Sequence, residues 1–61
     1  MINEVDIAVG RMLPFAEGLG VNEMTLRLIV LTVWTDSVGR SHEEKTAEVR
    51  RRLMLAAGAR T

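Results

Sequence analysis

A run of apolar residues lies in the middle of this chain, from Leu26 to Trp34, and only Arg27 and Thr32 interrupt it. The whole chain has 61 residues, and a domain of about 60 residues buries only roughly 60% of the surface that its unfolded chain exposes. Domains of this size usually gain stability from disulfides, a metal ion or association with another chain. The sequence has no cysteine and one histidine, His42. We therefore expect a single domain, residues 1–61, that associates with other chains.

Composition and charge narrow the class of protein. Hydrophobic residues make up 48% of the chain and aromatic residues 3%, which is typical of a helical core built from aliphatic side chains. Eight basic residues balance eight acidic residues, so no overall field attracts nucleic acid or an anionic membrane. The apolar run is too short for a transmembrane helix, which needs about 20 residues, and no signal-peptide pattern precedes it. These features predict a cytoplasmic protein without membrane association.

The first segment carries the signals of a helix start. Asn3 can cap a helix that has Asp6 in its first turn, and Ile2 is placed to pack on Ile7. Apolar residues then recur at steps of four and three, the spacing of one helical face: Val5, Val9, Met12, Ala16 and Leu19.

Pro14 interrupts this first face. Proline removes a helical hydrogen bond, and its ring presses on the carbonyl four residues earlier. The segment therefore kinks or breaks, and we expect a break into helices of about 3–12 and 14–19, with Pro14 at the first position of the second one.

The central run is predicted to be a helix over residues 23–37. Asn22 can cap it, and Glu23 places a carboxylate in its first turn, where the helix dipole favours negative charge. The alternative is a β-strand, because six of the residues from Thr25 to Thr35 are β-branched. Length favours the helix, since buried strands usually have about 4–8 residues. A helix that is apolar on several faces is a buried helix, in a bundle or in an oligomer.

The last segment is predicted to be a helix over residues 42–57. Ser41 and Glu44 have the spacing of a capping box, and Gly58 can stop the helix. Glu48 and Arg52 are spaced as a favourable ion pair. The expected apolar stripe consists of Val49, Leu53, Ala56 and Ala57, widened by Met54.

These segments predict an all-α protein, a small bundle of three or four short helices that is completed by homodimerisation. We expect the central helix and part of the last one to form the contact, through Leu28, Leu31, Trp34 and Leu53. Tryptophan is enriched among the residues that contribute most to interfaces. For Trp34, a position in the core under the last helix is an equally good interpretation.

Residues 15–29 resemble a helix-turn-helix unit. The small Ala16, the turn residue Gly20 and the apolar residues Val21, Leu26 and Ile29 stand where that family buries side chains or makes its turn. The resemblance implies DNA binding, because in the family the residues after the turn enter the major groove. By this match, those residues are Asn22, Glu23, Thr25 and Arg27.

Three consecutive arginines, Arg50, Arg51 and Arg52, offer two interpretations. They can add phosphate contacts to a DNA-binding surface. They can also form a solvated face whose aliphatic stems cover the edge of the apolar stripe.

No pattern for catalysis or for a cofactor stands out in the sequence. Ser41 beside His42 is explained as a cap, and the neighbouring acidic residues are typical of a helix start. We expect no enzyme activity, no cofactor and no metal ion. The resulting hypothesis is a small non-catalytic regulator, like the short accessory proteins of bacteria and phages, that binds itself and another, unidentified protein. The alternative is a helix-turn-helix transcriptional regulator.

Overall fold

The computed structural model describes residues 3 to 58 of the chain. These residues form three α-helices, α1 (Glu4–Gly18), α2 (Glu23–Asp36) and α3 (His42–Gly58). The predicted all-α class is confirmed, and the strand alternative for the central run is wrong, because residues 3–58 contain no strand. No helix in this part of the chain is long and apolar enough to cross a membrane. The predicted packing of Ile2 lies outside the described residues.

Helix α1 runs through Pro14 without a break. Asn3 caps it as predicted, since its Oδ1 accepts a hydrogen bond of 2.8 Å from the backbone N–H of Asp6. The predicted break at Pro14 is wrong. The physical reason is the packing of the residues that flank the proline. Met12 and Ala16 are both buried against the other helices. Full burial of a side chain such as Met stabilises by about 1.5–3 kcal/mol, which offsets a proline cost of about 3 kcal/mol.

The connection between α1 and α2 is a Schellman motif followed by a cap. Gly20 has a φ of 80°, the left-handed conformation that glycine adopts without strain. The backbone N–H of Val21 donates to the carbonyl of Ala16 at 2.9 Å, and that of Gly20 donates to Glu17 at 3.0 Å. Asn22 then caps α2 as predicted, because its Oδ1 accepts from the N–H of Thr25 at 2.8 Å. The turn is therefore held by backbone hydrogen bonds at its start and by the side-chain cap of Asn22 at its end.

The capping box of α3 is present as predicted. The N–H of Ser41 donates to Oε1 of Glu44, and the N–H of Glu44 donates to Oγ of Ser41, both at 3.1 Å. The hydrogen bond from the Ser41 backbone lowers the pKa of Glu44 below its usual value. Before the cap, Gly39 takes a positive φ of 92° in the turn that leads out of α2.

The core lies between the three helices, and α2 is its centre. Helix α2 packs extensively on α1 and α3, whereas α1 and α3 meet only over a short stretch. The buried apolar residues are Ala8, Val9, Met12, Ala16, Val21, Leu26, Val30, Val33, Val49 and Leu53. Met54, which was expected to widen the apolar stripe of α3, is exposed instead, because it lies one residue beyond the buried Leu53 and points away from the core.

Candidate functional site

One side of α2 faces away from the core and is apolar. Met24, Leu28 and Leu31 are spaced by four and three residues, and their exposed fractions are 75%, 61% and 44%. Thr32 and Thr35 lie on the same side of the helix and are also exposed. We call this surface the outer face of α2, consisting of Met24, Leu28, Leu31, Thr32 and Thr35.

The two threonine hydroxyls of the outer face are already hydrogen-bonded within the helix. Oγ1 of Thr32 donates to the carbonyl of Leu28, and Oγ1 of Thr35 donates to the carbonyl of Leu31, both at 2.8 Å. Side chains of this kind commonly bond to the carbonyl four residues earlier in a helix. As a result, neither hydroxyl needs an outside acceptor when the outer face is covered.

The charged residues of α2 lie elsewhere on the helix. They are Glu23, Arg27 and Asp36, and helical geometry places none of them among the five residues of the outer face. Nη1 of Arg27 contacts Oδ1 of Asp6 at 2.8 Å, and its Nη2 lies 3.9 Å from Oε2 of Glu23. The outer face is therefore uncharged. Of the charges beside it, Arg27 and Glu23 are paired, whereas Asp36 at the end of the helix forms no ion pair within residues 3–58.

The interior of the helix-turn-helix-like stretch has the predicted burial. Ala16, Val21 and Leu26 are buried, and Ile29 is partly buried against the core. The residues proposed to contact DNA have other roles in the fold. Asn22 caps α2, Thr25 is half-buried and donates its N–H to that cap, and Arg27 is engaged with two carboxylates.

The four residues expected to form the contact are not on one surface. Leu28 and Leu31 lie on the outer face of α2, whereas Leu53 is fully buried in the core and is inaccessible to a partner. Trp34 is half-buried and packs against the start of α3. Its ring meets that of His42 edge to face, with centroids 5.8 Å apart, and Nζ of Lys45 lies 5.3 Å from the ring centroid. The Nε1 of Trp34 is buried and has no hydrogen-bond acceptor among residues 3–58.

The three consecutive arginines are divided between two environments. Glu48 accepts hydrogen bonds from Arg51, the shortest 2.6 Å, and from Nε of Arg52 at 2.8 Å. These bonds, first from Arg51 and then from Arg52, lower the pKa of Glu48 to about 2. The predicted pair of Glu48 and Arg52 is therefore confirmed. Arg50 has no ion-pair partner in residues 3–58, and it borders a groove.

This groove is a feature that the sequence analysis missed. It has a volume of about 340 Å³ and lies between α1 and α3, with Trp34 of α2 also lining it. Trp34 and Ala47 contribute apolar surface, and Arg11 joins Arg50 among the lining residues. The sequence contains one weak signal for Arg11: it directly precedes Met12, which was predicted to face the core. We call this feature the α1–α3 groove.

Two further observations concern possible ligands and relatives. In the part of the chain that the structure describes, no three His, Asp or Glu side chains lie close enough together to hold a metal ion. Comparison with protein-family models, with curated proteins and with solved structures finds no match to this chain.

Proposed function

We propose that this chain is a small, non-catalytic regulatory protein of the cytoplasm that binds another protein as an inhibitor or adaptor. In this proposal, it forms a homodimer through the outer face of α2. One observation carries the dimer: the outer face is exposed, apolar and uncharged, and its two hydroxyl donors are already bonded. Exposed apolar surface rimmed by polar residues is typical of a protein contact.

A second copy of the chain is the occupant that fits this face best. In a twofold dimer the same patch meets itself, so a patch with charge would place like charges together. The outer face avoids this repulsion, and the whole chain has a formal net charge of zero. Burying a fully exposed leucine stabilises by about 1.5–3 kcal/mol. Leu28 and Leu31 are 61% and 44% exposed, so covering each of them gains the corresponding part of this energy in each copy.

The other protein would bind a different part of the surface. Apolar side chains remain exposed on α1 and α3 when the outer face of α2 is covered: Ile7, Phe15, Met54 and Leu55. These residues support a contact with a second kind of protein, and none of them belongs to the dimer face.

Light scattering on the purified chain tests the dimer. We expect twice the chain mass of 6.8 kDa at micromolar concentration. Leu28→Lys places a charge in the dimer face and should give a monomer. Met54→Lys makes the same change on α3 at a nearly equal exposed fraction, 59% against 61%, and should remain dimeric. A monomeric wild-type chain, or equal weakening by both variants, would contradict the proposal.

Capture from a cell extract tests the regulatory role. We expect the tagged chain to retain one protein in stoichiometric amount, and nuclease treatment should not release it. Recovery of no protein under conditions where the chain is folded would contradict the inhibitor or adaptor role, while leaving the dimer to be judged by light scattering.

The alternative is a DNA-binding regulator, and the burial pattern of the helix-turn-helix-like stretch supports it. Binding of a duplex should then weaken steeply with salt, and Arg27→Gln should lower the affinity. Replacing Arg50, Arg51 and Arg52 with Gln should flatten the salt dependence if these residues contact phosphates. The pairing of Arg27 with Asp6 and Glu23 counts against this alternative, since those bonds must break before Arg27 reaches a base.

A further inference from the structure

We propose that the α1–α3 groove binds a small organic anion with an apolar body, such as an aromatic or aliphatic carboxylate. The site is distinct from the outer face of α2, since the two surfaces share no residue. It would give this protein a small-molecule ligand in addition to its proposed protein contacts.

The size and the lining of the groove suit such a ligand. Its volume of about 340 Å³ lies within the roughly 300–1,000 Å³ of small-molecule pockets. Trp34, which is half-buried, and Ala47, which is exposed, give apolar surface to the lining, whereas Ala8, Met12 and Val49 are almost completely covered by the protein. An apolar body of one ring or a short chain can therefore leave water on this surface.

The charges of the groove select an anion. Arg11 and Arg50 both line it, and neither forms an ion pair within the described residues. Arg27, Arg51 and Arg52, by contrast, are all bound to carboxylates of the chain. Glu43 is the single acidic residue among the lining residues, so the positive charge of the two arginines exceeds the negative charge. Guanidinium groups bind carboxylates through strong, charge-assisted hydrogen bonds.

Trp34 supplies a second, independent observation. Its Nε1 is buried without an acceptor in the described part of the chain, and its side chain lines the same groove. A buried donor that lacks a partner is destabilising, so native proteins usually supply one. The nitrogen itself is covered by the protein, so a ligand oxygen would accept this bond only if the ring turned towards the groove; an anionic oxygen would then remove the penalty most strongly.

Trp34 also reports the binding, because it is the only tryptophan of the chain. The probe is 4-phenylbutyrate, and the matched control is 4-phenylbutylamine, which has the same body and the opposite charge. We expect 4-phenylbutyrate to change the Trp34 fluorescence to saturation, whereas the amine should produce no saturable change. No saturation with 4-phenylbutyrate, or equal binding of the amine, would overturn the proposal.

Variants locate the site. Arg11→Gln and Arg50→Gln should each lower the affinity for 4-phenylbutyrate at least tenfold. Arg40→Gln removes the same charge outside the groove and should change the affinity less than about twofold, as expected for a rim charge. Circular dichroism checks that each variant keeps its helices, which we expect because all three arginines are exposed. Unchanged affinity in both groove variants would overturn the proposal, whatever light scattering shows about the dimer.

Discussion

Helix α2 has two apolar sides that differ in what surrounds them. On the inner side, Leu26, Val30 and Val33 are fully buried between the other helices. On the outer side, Leu28 and Leu31 have the same chemical character and remain exposed. An apolar side chain therefore does not by itself mark the core of this protein. The same type of residue holds the monomer together on one side and is available for a partner on the other.

The largest expected effect on stability comes from truncating a leucine to alanine, compared between the inner and the outer side of α2. Leu26→Ala should lower the free energy of unfolding by about 2–5 kcal/mol, because it leaves a cavity. Leu28→Ala should lower it by less than about 0.5 kcal/mol, as at other exposed positions. Urea denaturation at low protein concentration measures both, since self-association would otherwise add stability. Equal losses would show that the two sides do not differ as described.

The next effect tests whether the outer face is a contact at all. Thr35→Lys should weaken self-association at least tenfold, about 1.4 kcal/mol, because a charge enters an apolar interface. Thr35→Val removes only a hydroxyl that bonds within its own helix, so association should stay within about twofold. Sedimentation equilibrium gives both dissociation constants. Strong weakening by the valine variant would mean that this hydroxyl bonds to the partner.

A smaller effect is expected at the start of α2. The cap there stabilises the whole helix, and therefore its inner and its outer side alike. Asn22→Ala should lower the free energy of unfolding by about 1 kcal/mol, since the N–H of Thr25 loses its acceptor. Asn22→Gly is the control and should cost only a few tenths of a kcal/mol. Thermal unfolding gives the order of the variants. If glycine proved worse than alanine, helix propensity and not the cap would control this position.

The smallest effect concerns the charges of α3, away from both sides of α2. Arg51 and Arg52 lower the pKa of Glu48 from 4.5 to about 2, so its stabilising contribution is complete above pH 4.5. The contribution is lost as the pH falls from 4.5 towards 2. Glu48→Gln lacks it at every pH, so the wild-type chain should melt about 2–4 °C higher at neutral pH, a small shift for a domain of this size.

Melting curves across this pH range measure the difference. We expect it to disappear near pH 2 and to leave the association through the outer face of α2 unchanged at neutral pH. A difference in melting temperature that stays constant with pH would show that the ion pairs of Glu48 do not stabilise the fold.

Local signals in the sequence were sufficient to predict where the helices start. The caps at Asn3, Asn22 and Ser41 each bond to a residue three positions further on, so the pattern is visible within one helical turn. The prediction was wrong at Pro14, because packing against distant residues outweighs the local tendency of proline to break a helix. The burial of Met12 and Ala16 depends on helices that come later in the chain.

The candidate sites were harder to predict for the same reason. The central run is apolar around much of the helix, so its sequence does not tell which leucines face inward. Leu53 was expected at a contact because its stripe is apolar, but packing of α3 on α2 buries it. The α1–α3 groove brings together Arg11 and Arg50 from distant parts of the sequence, and no local spacing links them.

The threonines of the outer face affect the free energy needed to replace water on that surface with another protein surface. Each hydroxyl gives its hydrogen to its own helix, but its oxygen retains a lone pair for a water molecule. The face can therefore be wetted in the free chain and dried on contact without breaking any donor bond. Drying costs less than it would for lysine or glutamate side chains, whose charges depend on solvent. The face can pass between the wetted and the covered state at a small cost in hydrogen bonding.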